Sequence, residues 1–179
     1  MQDRHIRELI NRLARLDAAA GWEGDLNPSQ RAVLDYLGRA NRFSRSPSQV
    51  AEYLGTTRGT ISQTLKSLGQ KGYVSEQRST TDKRAIRFDL TEKGRSECRA
   101  DRLLSDALAH ISPDLKQALT DGLSDLLTRL VGQNNGKPFG VCKTCRHFSK
   151  HPGGGFCNLL SEVLSADETS KICHEQVPL

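Results

Sequence analysis

Four cysteines crowd the end of the chain, Cys142, Cys145, Cys157 and Cys173, in the spacing C-x2-C-x11-C-x15-C. A C-x2-C pair wraps its backbone around one centre, and two distant thiolates complete a tetrahedral set. Four soft sulfur donors suit zinc or an iron–sulfur cluster. Gly153, Gly154 and Gly155 stand just before Cys157 and permit close approach of the backbone to such a centre. His147, His151 and His174 lie near the cysteines and can substitute as ligands, although each alone reads better as a donor to a ligand or as a surface residue. The segment 139–179 is too short to bury a core of its own, so free buried thiols fit it poorly and some staple is expected. A thioredoxin-like C-x-x-C would need a βαβ pattern around it, which is missing. A disulfide fits only an oxidised sensor state. Cys98, apart from the others between Glu97 and Arg99, reads as a packing residue.

A second set of residues could read nucleic acid. Thr57, Arg58, Gly59, Thr60, Ser62, Gln63 and Thr64 are short or polar and fall in one stretch. Arg58 can make a bidentate contact to guanine and Gln63 to adenine. Thr57, Ser62 and Lys66 suit phosphate oxygens. Further along, Lys83, Arg84 and Arg87 could reach a minor groove or the backbone. Charge supports this placement. Between Arg31 and Arg99 there are 14 Lys and Arg against 7 Asp and Glu, while the whole chain carries only +5. A basic middle between near-neutral ends points to a polyanion-binding surface.

The elements that must hold these residues follow from periodicity and caps. Ile6, Leu9, Ile10, Leu13 and Leu16 mark one face of a helix from about Asp3 to Ala19. Asn27-Pro28 starts a second helix that runs through Ala40, and Ser46-Pro47 starts a short third that Gly55 ends. Thr56 or Thr57 caps a fourth, which reaches Gly72 with Ile61, Leu65 and Leu68 on its buried stripe. Residues 73–78 and 85–90 then alternate as two strands around a charged loop, giving a hairpin with a basic tip. A long helix is expected from Thr91 to about His110. Another follows Ser112-Pro113 and carries Leu115, Leu119, Leu123, Leu126, Leu127 and Leu130. Gly132 to Pro138 has linker composition.

This order of elements is a winged helix-turn-helix, in which the second of the paired helices enters the major groove. The stretch SPSQVAEYLGTTRGTISQTLKSLGQKGYVSEQRSTTDKRAIRFDLTEKG, residues 46–94, resembles the MarR family of bacterial transcription regulators. Asp82-Lys83-Arg84 in the wing and Leu90-Thr91-Glu92-Lys93-Gly94 after it are the most specific part. The flanking helices extend the resemblance to about residues 3–132. It implies a homodimer built from the N- and C-terminal helices, with two winged lobes on a pseudo-palindromic operator of double-stranded DNA. It also implies that Asp82 orients Arg84, that Arg84 enters the minor groove, and that regulation is by repression. The leucine stripe over 115–130 independently suits a dimer interface, since a monomer would expose it.

The expected plan is therefore a mainly α chain with a small β-hairpin wing and dimerisation helices over 1–132. A linker at 133–138 and a small Cys-rich metal-binding tail at 139–179 follow. The tail is similar to the cluster-binding pattern of high-potential iron–sulfur proteins, which tips the expected cofactor toward an iron–sulfur cluster, with zinc as the alternative. MarR relatives generally lack such a tail and often sense small phenolic ligands in a cleft between the dimer helices and the DNA-binding lobe. The expectation drawn here is a regulator whose metal module senses redox or metal state. One alternative is a regulator with a small ligand in the dimer cleft and a purely structural zinc. A second is a metal-stapled protein-interaction adaptor. An enzyme is not expected: no nucleophile pairs with a base in a recognised motif, no phosphate loop occurs, and four thiolates would close a zinc site to substrate. Met1 to Leu13 has no apolar signal core and no run approaches a membrane span, so a cytoplasmic protein is expected.

Overall fold

Two capping boxes set the angles at which the central helices leave their turns. Asn27 Oδ1 accepts from the Gln30 N–H at 2.9 Å, and Gln30 Oε1 accepts from the Asn27 N–H at 3.1 Å. Ser46 and Gln49 repeat this reciprocal pair at the next start. Each satisfies two helix-end donors, and the proline at the following position carries no N–H to be satisfied. In this computed structural model, residues 1–20, 24–78, 86–98, 103–133 and 136–179 are described.

The helices are α1 Gln2–Ala20, α2 Pro28–Arg39, α3 Pro47–Tyr53 and α4 Arg58–Gln70. Strands β1 Val74–Arg78 and β2 Ile86–Leu90 pair antiparallel, with Val74 opposite Leu90 and Arg78 opposite Ile86. Helices α5 Glu92–Cys98, α6 Leu103–Ala109 and α7 Pro113–Gln133 follow. The long helix expected from Thr91 to His110 thus corresponds to α5 and α6, and residues 99–102 between them lie outside the described ones. No described helix is long and apolar enough to cross a membrane.

One core holds the lobe together. Val33, Leu34, Tyr36 and Leu37 of α2 pack with Val50 of α3 and with Ile61, Leu65 and Leu68 of α4, closed by Tyr73, Val74 and Phe88 of the hairpin. Gly55 takes φ +61° in the turn between α3 and α4, a conformation that a Cβ would strain. Gly94 lets α5 lie directly on the Tyr73 carbonyl, where a Cβ would collide with it. Thr91 Oγ1 donates to Gly72 O at 2.7 Å and ties the end of the hairpin to the end of α4.

The tail carries structure that periodicity did not reveal. β3 Phe148–His151, β4 Gly154–Cys157 and β5 Glu162–Ser165 form a three-stranded antiparallel sheet in that order. Gly154 and Gly155 admit neighbours where side chains would not fit: the Leu164 carbonyl lies against one and the Phe148 ring against the other. Cys142, Leu164 and Cys173 make a second small core with Phe148 and Cys157, and Phe43 of the lobe inserts into it. The tail thereby obtains part of its core from the lobe, which is how so short a segment can fold.

Candidate nucleic-acid interface and thiol cluster

Helix α4 has two chemically distinct faces. Ile61, Leu65 and Leu68 are fully buried, and Ser67 Oγ accepts from Gln30 Nε2 at 2.9 Å, fixing the helix against α2. On the opposite side Arg58, Thr60, Ser62, Gln63 and Lys66 are exposed. Thr57 caps α4: its Oγ1 accepts from the Thr60 N–H at 3.1 Å and lies 2.8 Å from Thr60 Oγ1. Ser62 Oγ donates to the Arg58 carbonyl at 2.8 Å. The hydroxyls at 57, 60 and 62 are therefore engaged locally, each keeping lone pairs outward. The Arg58 guanidinium, the Gln63 amide and the Lys66 ammonium have no partner among the described residues. A helix anchored by one face, with a guanidinium, an amide and an ammonium free on the other, matches the donor pattern that base edges and phosphates accept.

In the hairpin, Arg87 is exposed on β2 opposite Gln77. Lys83 and Arg84, with Asp82, lie outside the described residues. The hairpin is anchored to the lobe by Arg45, whose guanidinium meets Asp89 Oδ1 at 2.6 Å and also donates to Ala40 O at 2.9 Å.

Two apolar stripes remain uncovered. Ile6, Leu9, Leu13 and Leu16 of α1 are exposed, as are all six leucines from Leu115 to Leu130 on α7, with Leu127 at 57%. α1 packs against α6. An open cleft of about 1060 Å³ lies between the end of α2, the hairpin base and α6, its walls carrying both basic side chains, Arg39 and Arg45 among them, and the carboxylates of Asp17, Asp35, Asp89 and Asp167.

The four tail cysteines line one small pocket together with His147, Phe148, Leu159, Leu164 and Glu175. The space they enclose is about 10 Å³, close to the room one water needs. Cys142 and Cys173 act on each other: their interaction pushes the Cys142 thiol up and, against the effect of burial, holds Cys173 down. Asn41 Nδ2 donates to Cys142 Sγ at 3.4 Å, and the Val177 N–H donates to Cys145 Sγ at 3.4 Å. Among the described residues no three His, Cys, Asp or Glu side chains, as they stand, come together closely enough to hold one ion. Four cysteines are the donor type that a thiophilic metal takes. Of the histidines, His147 borders the pocket, whereas His151 is exposed and His174 pairs with Glu52 Oε2 and Glu175 Oε1, both at 2.9 Å. Cys98 donates to the Leu34 carbonyl at 3.3 Å and packs against the lobe core.

The contacts of the tail with the lobe had no sequence signal. Asn41, Ser44 and Glu52 are ordinary turn and helix residues in the chain, and only the tertiary structure brings them to Cys142 and His174.

The fold of the lobe is that of a winged helix-turn-helix, and residues 24–85 match the family model described as the MarR family. HTH-type transcriptional repressor YetL of Bacillus subtilis is 28% identical over 107 residues, 60% of this chain, and the match spans only 62% of that relative's length. Streptococcus pneumoniae FabT, solved in complex with DNA, shares the fold at a TM-score of 0.59 and 24% identity, over 73% of this chain and 96% of that one. Staphylococcus aureus MepR in its DNA complex does so at 0.57 and 18%, over 73% and 98%.

Proposed function

We propose that this chain is a sequence-specific DNA-binding transcriptional regulator, a repressor that grips a pseudo-palindromic operator as a homodimer. The observation that carries this reading is the free polar face of α4. Arg58, Gln63 and Lys66 stand exposed and without a partner among the described residues, on a helix whose other face is locked into the core. The described relatives point the same way: one is a named repressor and two were solved with DNA. The leucine stripes of α1 and α7 supply a surface that a second copy would cover, since a lone monomer would leave both apolar faces in water. Two-fold symmetry would then place the two α4 helices in major grooves about one helical turn, ~10 bp, apart.

The tail completes this reading as a metal-binding sensory module ligated by Cys142, Cys145, Cys157 and Cys173. Its support is the convergence of all four thiols on one pocket and the N–H donors already directed at two of the sulfurs. Four thiolates suit an iron–sulfur cluster or a single tetrahedral ion such as zinc. When bound, the metal would stabilise the cysteines as thiolates and crosslink the start and the end of the tail. A second reading, a regulator with a small ligand in the dimer cleft and a structural zinc, draws on the open cleft between the end of α2, the hairpin base and α6.

The test of the metal reading is elemental and acid-labile sulfide analysis, with a visible spectrum, on protein purified without oxygen. One colourless zinc per chain, or iron with sulfide and thiolate-to-iron absorption, supports a metal module and names its class. Metal-free protein with four titratable tail thiols contradicts it. DNA binding is tested separately, by titrating a fluorescent duplex across salt concentrations.

A further inference from the structure

Helix α7 carries the leucine face assigned to the partner protomer, and none of its residues is buried. It is held at its two ends. At the start it continues from α6, which packs on α1. At the end, the Gly136 N–H donates to Val131 O at 3.0 Å and closes the last turn. Three residues later the chain is seated in the winged lobe. An extended chain covers at most about 10 Å between Gly136 and Phe139, so the end of α7 stays within that reach of the seat.

The seat is aromatic. Phe139 is half-buried against the lobe core. Its ring stands near-perpendicular to Tyr53 of α3 and to His174, both at 5.2 Å between centroids, and to Tyr36 of α2 at 6.3 Å. Edge-to-face contact is the arrangement that aromatic quadrupoles prefer. Tyr36 is fully buried and donates its hydroxyl to Ser44 O at 2.6 Å, so the seat belongs to the rigid part of the lobe. The Phe139 backbone takes φ +50°, a left-handed conformation that bulky residues adopt only where their surroundings dictate it. The residues after it show what dictates it here. Gly140 O accepts from the Cys173 N–H at 2.8 Å, Val141 pairs with Ile172, and the Ile172 N–H donates to Arg39 O at 2.8 Å at the end of α2. The left-handed turn thus brings the chain from α7 onto a backbone ladder that ends on the lobe.

We propose that Phe139 is a positioning residue that fixes each lobe to its own dimer helix and so sets the separation of the two α4 helices. Without the ring in its seat, α7 is joined to the lobe through α6 alone, and the lobe can pivot about that joint. With it, lobe and helix are held at two points. The inference rests on the reading of the chain as a dimeric DNA-binding regulator and needs no metal in the tail.

The experiment measures how affinity depends on the spacing of the half-sites. The probes are duplexes carrying the two-fold symmetric sequence that the native chain selects from a random library, with none to four base pairs inserted at the centre. Each inserted pair moves one half-site by about 3.4 Å and turns it by about 35°. The proteins are the full native chain, Phe139→Gly, Phe139→Tyr, and a chain with six Gly/Ser residues inserted between Gly136 and Lys137. Two inserted pairs should cost the native chain at least about tenfold in affinity, as much as a mismatched base pair does. Phe139→Gly removes the ring without opposing the left-handed backbone. It should bind the original spacing about tenfold more weakly, because the second half-site is met at lower effective concentration. Its loss on insertion should be smaller than the native one, giving a flatter profile. The lengthened linker, which keeps the ring in place, should flatten the profile in the same way and carries the test if Phe139→Gly fails to fold. Phe139→Tyr, which keeps the ring, should restore the native profile. All four should sediment as dimers, since the leucine face is untouched. A profile as steep as the native one in both Phe139→Gly and the lengthened chain overturns the inference and leaves the DNA-binding reading standing. So does an equal loss at every spacing, which is the mark of a ring that only stabilises the fold. A native chain that selects no two-fold symmetric sequence removes the reading on which the inference rests.

Discussion

The side-chain amide of Asn41 points at Cys142 Sγ from 3.4 Å across a sequence separation of 101 residues. This contact joins the two halves of the molecule's chemistry, because the same asparagine sits in the turn that feeds the helix-turn-helix. Around it, Ile172 pairs with Ala40 and Phe43 enters the small core of the tail.

Loss of a base-reading side chain should be specific. Arg58→Ala is expected to weaken operator binding by about 1–3 kcal/mol and to relax preference at one base pair per half-site. Lys66→Ala should instead weaken all sequences alike and lower the salt slope by about 1. Anisotropy titrations against operator and scrambled duplexes, at several salt concentrations, separate the two. Neither change should move the unfolding midpoint, since both side chains are exposed and without partners among the described residues.

A charge in the leucine stripe should separate the protomers. Leu123 is 51% exposed on α7, in the middle of the uncovered face. Leu123→Glu is expected to give a monomer in sedimentation equilibrium and to lose operator binding, because one lobe alone cannot span two half-sites. A Leu123→Glu protein that stays dimeric would place the interface elsewhere.

Helix α5 should tolerate no side chain at its contact with the hairpin. Gly94→Ala puts a methyl into the Tyr73 carbonyl, and overpacking of this kind costs about 1–3 kcal/mol. Urea unfolding should show the lowered midpoint with an unchanged slope. Native-like stability would mean that α5 lies farther from the hairpin than described.

Removal of one proposed ligand should open the tail. Cys157→Ser is expected to lose bound metal while α4 and its polar face remain folded, as read by metal analysis and far-UV circular dichroism. Unchanged metal content and unchanged operator affinity would remove the module from the mechanism.

The lobe was largely legible in the sequence because its signals are local. Asn27-Pro28, Ser46-Pro47 and Thr57 mark helix starts through capping chemistry, and the structure places helices at each. Ile61, Leu65 and Leu68 show one buried face by spacing alone. The tail was legible only in its cysteines. Its strands are only four residues long, and β4 begins with two glycines, so alternation has little to register on. The docking of Ile172 on the end of α2 is a long-range pairing of backbone groups, which leaves no trace in residue type. Lys83 and Arg84, expected at the wing tip, lie outside the described residues.

Selection from a random duplex library by the purified chain, followed by affinity measurement across salt, tests the central claim most directly. The account predicts enrichment of a two-fold symmetric sequence with half-sites about 10 bp apart, bound by a dimer with a steep salt slope. Recovery of no sequence preference, or binding that ignores both Arg58→Ala and salt, would contradict it.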